Sequence, residues 1–347
     1  MKIGIIGAGL AGLVAAKDFM MAGHEVLLIE KDRKLGGRLA SRSYENGDTK
    51  ISLDYGLPYF SVESEEFGGF IKELEQKKLV RHWADSFSLY DGEQVHSVNP
   101  NHEGGKYYAA PAGMSSIANY LARWVDVKEN AQAGGLTFIG RDRHKKKPWM
   151  VNLTDFSLYE ADAVVLAVPA VQAYGILNTV QDEMPTRKVI RHIDEVRYDA
   201  TFTLMLAVET ENVPQWKAMD CNDEHIKLVV NESSKRQAGD SPGVTLLTAQ
   251  STHKFAQRFR EEDSEQVKKT MINALSSIVG NWVADTRWSD IHYWNYLTAQ
   301  NPMENSFIDV EMDEGPFALI GDYLGGNSMD AAYRSAKALV ASWTEKY

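Results

Sequence analysis

A glycine-rich turn near the start of the chain constrains the fold more than any other feature. The apolar run Lys2–Ile6 is of strand type, and the segment Gly7-Ala8-Gly9-Leu10-Ala11-Gly12 leads from it into a helical pattern. We expect Gly23 to end that helix, because glycine is the usual residue just past a helix C-terminus. The apolar run Glu25–Ile29 then predicts a second strand, which ends at Glu30. A strand, a helix and a strand, with an acid about 20 residues beyond the glycines, predict a dinucleotide-binding βαβ unit.

Each glycine of the turn, and the acid at the end of the second strand, has a physical role in such a site. Gly7 permits a tight turn out of the strand, Gly9 lets the backbone approach a diphosphate, and Gly12 lets helix and strand pack closely. The unpaired N–H groups at the start of the helix would bind the phosphates. Glu30 would accept hydrogen bonds from the adenosine ribose hydroxyls, and its charge disfavours a 2′-phosphate. A tight turn without a ligand is the alternative, and the register of strand, helix and acid argues against it.

Composition excludes several other classes of protein. The chain has 347 residues, long enough for one large or two joined globular units. Its 37 basic and 48 acidic residues give a net charge of −11, which argues against nucleic acid as the main partner. No apolar run reaches the roughly 18 residues of a membrane span, so we expect none. The single cysteine, Cys221, excludes an intramolecular disulfide, and no Cys/His set has metal-ligand spacing. We therefore expect a cytoplasmic protein without a metal site.

The residues after Glu30 indicate which dinucleotide is bound. Gly36-Gly37-Arg38 follows Glu30 within a few residues, and this arrangement resembles the amine-oxidase-like FAD superfamily. The resemblance implies that the backbone at the two glycines passes close to FAD and that Arg38 helps to hold the pyrophosphate. A surface turn with a solvated arginine is the alternative.

A second resemblance to this superfamily lies near the C-terminus. The segment Pro316–Ile320 predicts a strand that ends at Gly321-Asp322, and a helix is expected from about residue 328 to residue 343. The resemblance implies that the aspartate binds the ribityl chain and that the helix N-terminus points at the N1/C2 edge of the flavin, where a helix dipole favours negative charge. Family members usually carry glycines inside this helix, where this chain has Ala331 and Ala336.

Two central segments complete the resemblance. Pro111-Ala112-Gly113-Met114 is similar to the Pro-x-Gly-Met segment of the superfamily, and Asp162–Pro169 is similar to the strand that returns to its cofactor domain. Cys221 lies far before Gly321, whereas covalent attachment in this superfamily uses a cysteine near that segment, so non-covalent FAD is implied. The residues expected to contact FAD are Gly7, Gly9, Ala11, Gly12, Glu30, Lys31, Gly37, Arg38, Gly56, Tyr59, Ala133, Gly321, Asp322 and Ala331.

The positions of these segments predict how the domains are organised. We expect an α/β fold with a Rossmann-like FAD-binding domain over residues 1–57, 105–170 and 310–347. A discontinuous α+β substrate domain would take residues 58–104 and 171–309. Within it, Thr201–Glu209 and Gly243–Ala249 predict strands, and Asp263–Gly280 predicts an amphipathic helix. The basic stretch Arg141–Lys147 is typical of a solvated hairpin turn.

Within the superfamily, the chain resembles renalase and its bacterial relatives. The segments that carry this resemblance are Leu53–Phe60, Leu228–Lys235 and His292–Tyr296. The resemblance implies oxidation of isomeric dihydronicotinamide dinucleotides, with hydride passing to flavin N5 and oxygen then giving peroxide. Such a donor needs little acid–base help, so the protein would supply positioning and electrostatics. A histidine of several renalases is Thr248 here, and the arginine of their His-Arg-Trp strand is Tyr293, which puts the substrate in doubt more than the cofactor.

Five residues are candidates for the substrate pocket, although each could equally serve the core or a turn. They are Tyr59, Asn231, Thr248, Trp294 and Tyr296. An amine oxidase of the same fold is an alternative, because many such enzymes place a lysine near flavin N5, and Lys227 is the candidate here. A desaturase-like or non-catalytic FAD-binding protein is a further alternative.

Overall fold

The computed structural model of the chain describes every residue except 48, 141–146, 181–183, 210–213, 237–242, 311 and 313. The basic stretch 141–147, for which the sequence predicts a surface turn, therefore lies outside the described residues apart from Lys147.

Strands and helices alternate along the chain. Within the described residues the strands are β1 (Lys2–Ile6), β2 (Glu25–Ile29), β3 (Ser41–Asn46), β4 (Thr49–Asp54), β5 (Phe60–Ser61), β6 (Arg81–Ala84), β7 (Ser88–Tyr90), β8 (Val95–His96), β9 (Tyr107–Ala109), β10 (Asp126–Lys128), β11 (Ala133–Phe138), β12 (Trp149–Leu153), β13 (Leu158–Ala161), β14 (Ala163–Leu166), β15 (Tyr198–Glu209), β16 (Ala218–Cys221), β17 (Ile226–Asn231), β18 (Val244–Ser251), β19 (Thr286–Ala299), β20 (Ile308–Val310) and β21 (Phe317–Leu319). The α-helices are α1 (Leu10–Met21), α2 (Glu65–Gln76), α3 (Ser115–Leu121), α4 (Ala170–Leu177), α5 (Met184–Ile193), α6 (His253–Arg258), α7 (Ser264–Val279) and α8 (Met329–Lys346).

A six-stranded sheet contains the glycine-rich turn. Its strand order is β10-β2-β1-β14-β21-β20, and its pairs are parallel except for β20 with β21. The predicted strands β1 and β2 are confirmed, and Gly23 adopts a φ of +89° just after α1, as a glycine at a helix end can. The apolar runs of this sheet are buried on both faces, which is why they lack the alternation of a half-exposed strand.

Helices cover both faces of this sheet. On one face α1 and α8 pack together with α2 and α3, and Trp343 of α8 is fully buried there. On the other face α4 and α5 pack with the antiparallel sheet β11-β12-β13, around the fully buried Trp149. Helix–sheet–helix layering of this kind is the doubly wound α/β architecture. The predicted fold class is thus confirmed.

A seven-stranded sheet forms the second layer of the molecule. Its order is β19-β15-β18-β17-β16-β7-β8, and the predicted strands over residues 201–209 and 243–249 correspond to β15 and β18. Helix α7 begins where Asp263 accepts hydrogen bonds from two backbone N–H groups and ends at Gly280, whose φ is +102°. Its apolar residues, among them Met271 and Leu275, pack against one face of the sheet. The opposite face packs on the β3-β4 hairpin, for example through Leu53, and on the sheet β5-β9-β6, for example through Trp83.

Two helical regions pack on a different domain from the one to which the sequence assigns them. Helix α2 and helices α4 and α5 lie in the ranges 58–104 and 171–309 assigned to the substrate domain, yet their apolar faces contact the core of the six-stranded sheet. Phe67 and Phe70, for example, pack on Tyr333 of α8. The domain boundaries were predicted from the positions of motifs, which carry no information about where these amphipathic helices pack. The exact division of the chain into two domains therefore stays a prediction.

Candidate cofactor and substrate cleft

A cavity of about 1240 Å³ lies between the two sheets. Residues at the carboxyl ends of β1, β2, β14 and β21 line it, which is where ligands bind in parallel α/β sheets. Of the predicted FAD contacts, all line this cavity except Gly12 and Ala331. Its volume exceeds the roughly 300–1,000 Å³ of an ordinary ligand pocket, as expected for a cleft that takes a dinucleotide and a second molecule.

The glycine-rich turn forms one end of the cavity. Gly7 has a φ of +104°, in the region that favours glycine, and a Cβ at Gly12 would lie 2.0 Å from the carbonyl oxygen of Gly7. Gly12 is therefore required by the packing of helix on strand. A Cβ at Gly9 would meet no atom within 4 Å, so this position opens onto the cavity.

Helix α1 presents its N-terminus to the same end of the cavity. Its N-cap residue is Gly9, which offers no side-chain oxygen, and no acidic residue lies in the first turn. The first N–H groups of the helix are thus available to an anion, and the helix dipole favours one. These residues fit a diphosphate.

Glu30 lies at the end of β2 and is only 7% exposed. Its Oε2 accepts a hydrogen bond from the N–H of Ala8 at 2.7 Å, and its Oε1 accepts one from the N–H of Asp32 at 3.0 Å. Burial raises the pKa of Glu30, and these two hydrogen bonds oppose that rise. A carboxylate held in this way can accept further hydrogen bonds from ribose hydroxyls.

Arg38 and Asp322 face each other across the middle of the cavity. The guanidinium donates two hydrogen bonds to the carboxylate, at 2.5 and 2.6 Å, and a third to the carbonyl oxygen of Leu297 at 2.9 Å. Burial opposes the charge of Arg38, but the nearby Asp322 outweighs it, so the pKa of Arg38 is raised. The structure therefore brings together the two residues that the resemblance assigned to pyrophosphate and ribityl chain, and pairs them with each other.

Gly56 is fixed by neighbouring backbone. A Cβ there would lie 2.2 Å from the carbonyl oxygen of Arg38, and the Gly56 carbonyl accepts a hydrogen bond from Gln250 Nε2 at 2.8 Å. The Gly36-Gly37-Arg38 segment and strand β18 of the seven-stranded sheet thus meet at Gly56. Gln250 lines the cavity and was not predicted from the sequence.

The N-terminus of α8 also borders the cavity. Ser328, the N-cap residue, accepts a hydrogen bond from the N–H of Ala331, and Ser328, Met329 and Ala332 line the wall. Ala331 itself is 1% exposed and does not line the cavity. The structure therefore does not bring Ala331 together with the other predicted cofactor contacts, because the helix turns that side chain towards Gly326.

Aromatic side chains line the end of the cavity formed by the substrate domain. Tyr59, Trp294 and Tyr296, three of the five candidates for the substrate pocket, all contribute to this wall. The Nε1 of Trp294 donates to the carbonyl oxygen of Tyr55 at 2.8 Å, and the two rings stack with centroids 5.5 Å apart. Burial, with smaller effects of nearby acids, raises the pKa of Tyr59, so its phenol stays neutral.

Asn231 and Thr248, which the sequence predicts as pocket residues, do not line the cavity. Asn231 caps the 3₁₀ turn 232–235 by accepting from the N–H of Ser234, and its amide donates to the carbonyl oxygen of Pro214 at 3.2 Å. Thr248 donates to Glu232 Oε1 at 3.1 Å. Both are at most 2% exposed, and the pairing of β17 with β18 turns them to opposite faces of the sheet, since Asn231 lies opposite Leu247 and Thr248 lies opposite Val230.

Two charged residues of the substrate domain complete the wall. Lys227, which the sequence offered as the candidate lysine for an amine oxidase, lines the cavity, and so does Asp220, which was not predicted. No motif marks Asp220, since it lies in a short strand between apolar residues. Cys221, next to it, belongs to the core on the opposite face of the sheet. It does not line the cavity, which supports non-covalent FAD.

Two further properties concern membranes and metals. Among the described residues, no helix has both the length and the apolar character that a membrane crossing requires. In the same part of the chain, no group of three histidine, cysteine or acidic side chains is arranged to hold a metal ion.

The fold and the cleft define a dinucleotide-binding α/β protein with an attached substrate-binding sheet. The chain belongs to the family of flavin containing amine oxidoreductases, whose model matches residues 89–341. A model of the NAD(P)-binding Rossmann-like domain matches residues 5–74. The cofactor is therefore FAD, and the class is that of FAD-dependent oxidoreductases. The superfamily and the cofactor predicted from the sequence are confirmed.

Curated relatives match parts of the chain. An L-amino-acid oxidase of Siganus canaliculatus is 25% identical over 203 residues, which are 56% of this chain and 37% of that protein. The flavin-dependent L-tryptophan oxidase RebO of Lentzea aerocolonigenes is 40% identical over 125 residues, which are 36% of this chain and 24% of that protein. The chain thus spans between about a quarter and about a third of these relatives' own length.

Solved structures share the whole fold at low identity. A putative protoporphyrinogen oxidase from Exiguobacterium has a TM-score of 0.76 at 12% identity, covering 100% of this chain and 99% of that one. Cyclohexylamine oxidase from Brevibacterium oxydans has a TM-score of 0.73 at 10% identity, covering 99% of both chains. At such identities the likeness shows the fold alone.

Proposed function

We propose that this protein is a renalase-like, FAD-dependent oxidase whose hydride donor is a dihydronicotinamide-type molecule and whose electron acceptor is O₂, giving H₂O₂. The observation that carries the proposal is the continuity of the cavity, which extends from the dinucleotide end at Glu30 to the aromatic wall of Tyr59, Trp294 and Tyr296. When bound, FAD supplies a hydride acceptor at N5. A flat aromatic donor is the ligand that such a wall can orient.

The residues of this chain would act by positioning and by excluding water. Tyr59 is surrounded by the rings of Trp83, Phe87 and Tyr107, with centroids 4.6 to 5.8 Å away, so its ring has a fixed orientation. Trp294 is fixed by its hydrogen bond to Tyr55. A dihydropyridine ring gives up hydride without a general base, so orientation of the ring is the main contribution required of the protein.

The test is anaerobic mixing of the purified FAD-loaded protein with isomeric dihydronicotinamides. We expect the flavin absorbance to bleach within the mixing time and air to restore it with release of peroxide. Trp294→Leu should slow bleaching about tenfold or more, whereas Trp124→Leu, a change to a half-exposed tryptophan away from the cavity, should not. An oxidised flavin after mixing with every dihydronicotinamide isomer would contradict the proposal.

A second candidate function, oxidation of a small amine, is favoured by Lys227. Its side chain lines the cavity, as the lysine of many amine oxidases of this fold does. The named activities of the amino-acid oxidase relatives make α-amino acids part of the amine panel. Bleaching by an amine alone, lost in Lys227→Met, would establish this second function, and bleaching by neither class would favour a non-catalytic FAD-binding protein.

We also infer a cytoplasmic location. The single cysteine and the net charge of −11 support it. Fractionation of the native cells, followed by detection of the protein in the membrane or the extracellular fraction, would contradict this inference.

A further inference from the structure

A β-bulge turns Lys227 towards the cavity. Strand β17 pairs with β18 through Ile226 and Leu228, and the register shifts between them, so Lys227 is the extra residue. Ile226 and Val229 both belong to the core cluster on the far face of the sheet, although residues three apart on a regular strand point to opposite faces. The bulge therefore places Lys227 on the same face as Leu228, and both line the cavity.

The ammonium group of Lys227 is unpartnered among the residues that the structure describes. Within the described part of the chain, its Nζ makes neither a hydrogen bond nor an ion pair, although the side chain is half-buried. Burial lowers the pKa of Lys227, and the charges of Asp199 and Asp220 only partly oppose this. A lysine that lines a cleft and whose pKa is lowered by burial is characteristic of functional sites.

Asp220 presents an acceptor on the neighbouring strand. It pairs with Leu228 in the register of β16 with β17, which makes it a diagonal neighbour of Lys227. Its Oδ2 lies 2.8 Å from His102 Nε2 and accepts from Asn99 Nδ2 at 2.9 Å. Among the described residues nothing donates to Oδ1. Hydrogen bonds to Oδ2 thus fix the carboxylate, while Oδ1 is available to a ligand, and the residue lines the cavity.

The two charges remain separate from each other. No contact of 4.0 Å or less joins Lys227 Nζ to Asp220, so the wall carries a free donor and a free acceptor side by side. Opposite unit charges at adjacent positions nearly cancel at a distance, so the pair attracts neither a net cation nor a net anion. The pair of Lys227 and Asp220 is therefore complementary to a neutral group that contains both a hydrogen-bond acceptor and a hydrogen-bond donor.

We propose that Lys227 and Asp220 bind the primary carboxamide of the hydride donor. Lys227 donates to the carboxamide oxygen, and Asp220 Oδ1 accepts from the carboxamide N–H₂ group. This inference rests on the proposed function, because the nicotinamide ring is the donor that carries such a group. The pair then selects for a ring with a carboxamide and against the corresponding acid or amine.

His102 is a positioning residue for this pair. Its Nδ1 lies 2.6 Å from the hydroxyl of Tyr107 while its Nε2 contacts Asp220, so the imidazole links the carboxylate to the aromatic cluster. Loss of the imidazole would let the carboxylate rotate. His102→Leu should therefore weaken carboxamide binding, and His102→Gln, which keeps a donor, should restore most of it.

The test uses the FAD-loaded protein and three non-reducing probes with one ring and different polar groups: benzamide, benzylammonium and benzoate. Binding is measured by calorimetry and by the perturbation of the flavin spectrum. We expect benzamide to bind more tightly than the other two, and Lys227→Met and Asp220→Ala each to weaken it about tenfold or more, because the remaining partner loses its hydrogen bond. Lys254→Met, a change to an exposed lysine on α6, should leave benzamide affinity unchanged.

Several outcomes would overturn the inference. Tighter binding of benzylammonium, lost in Asp220→Ala, would make the site a cation site, and tighter binding of benzoate, lost in Lys227→Met, would make it an anion site. Absence of benzamide binding, or unchanged affinity in both variants, would also refute it. Bleaching by dihydronicotinamides is measured separately from benzamide binding. The proposed function and the role of Lys227 and Asp220 in carboxamide binding can therefore be refuted independently of each other.

Discussion

Lys235 lies between two carboxylates that come from different parts of the chain, and Lys235→Met removes this cation. Its Nζ is 2.9 Å from Asp54 Oδ2 and 2.8 Å from Glu232 Oε1, and all three side chains are 0% exposed. Asp54 also accepts from Ser41 and from the N–H of Met114, both at 2.7 Å. The cluster joins the end of β4, just before the cavity residues Tyr55 and Gly56, to the turn after β17.

The magnitude follows from burial. Removing one partner of a buried ion pair leaves an uncompensated charge and costs about 3–5 kcal/mol. With an unfolding entropy of about 2.1 cal/mol/K per residue, a chain of 347 residues loses about 4–7 °C in Tm. Methionine has nearly the same length as lysine, so a cavity contributes little to this loss.

The dependence on pH provides an independent check. Burial already raises the pKa of Glu232, and Lys235 opposes that rise. Without the lysine the folded-state pKa rises further above the unfolded value, so the folded variant retains a proton that the unfolded chain releases. Its stability then falls as pH rises through that folded-state pKa. The deficit relative to the parent protein should be larger at pH 8 than at pH 5.

Thermal and urea unfolding at the two pH values measure both effects. Arg260→Met is the control, because Arg260 and Glu261 are 60% and 91% exposed and such a pair contributes at most about 1 kcal/mol. A loss below about 1 kcal/mol in Lys235→Met, equal at both pH values, would refute the reasoning that these charges are buried and mutually compensated.

The remaining predictions concern the cleft. Glu30→Ala should weaken FAD retention, measured by the flavin released on gel filtration, whereas unchanged FAD affinity would remove its ribose assignment. Gly9→Ala should lose FAD affinity and keep the Tm of the FAD-free protein, because a Cβ there meets no atom within 4 Å. Gly12→Ala should lower that Tm as well, because its Cβ would lie 2.0 Å from Gly7 O. Lys227→Met should raise the Tm at pH 7, since burial lowers the lysine's pKa and penalises its charged form. That gain should vanish above the unfolded lysine pKa of about 10.4, where neither state is charged, and a pH-independent gain would contradict this origin.

Local sequence patterns were sufficient to predict the cofactor half of the protein. Gly7, Gly12 and Glu30 could be interpreted without tertiary contacts, because a tight turn, a close helix–strand approach and the end of a strand are properties of one short βαβ unit. The Gly-Gly-Arg segment and Gly321-Asp322 extended this through a resemblance. The structure places these residues around one cavity.

The substrate end of the cavity depends on contacts between segments that are distant in the chain. Asn231 and Thr248 lie on predicted segments, but neither lines the cavity. Thr248 donates to Glu232 in the buried cluster, and the pairing of β17 with β18 turns Asn231 to the opposite face of the sheet. Lys227 reaches the wall through a bulge, and Asp220 is held by His102, 118 residues earlier in the chain. A strand sequence fixes its own alternation of side chains, whereas the face that meets the cavity depends on register and bulges set by distant strands.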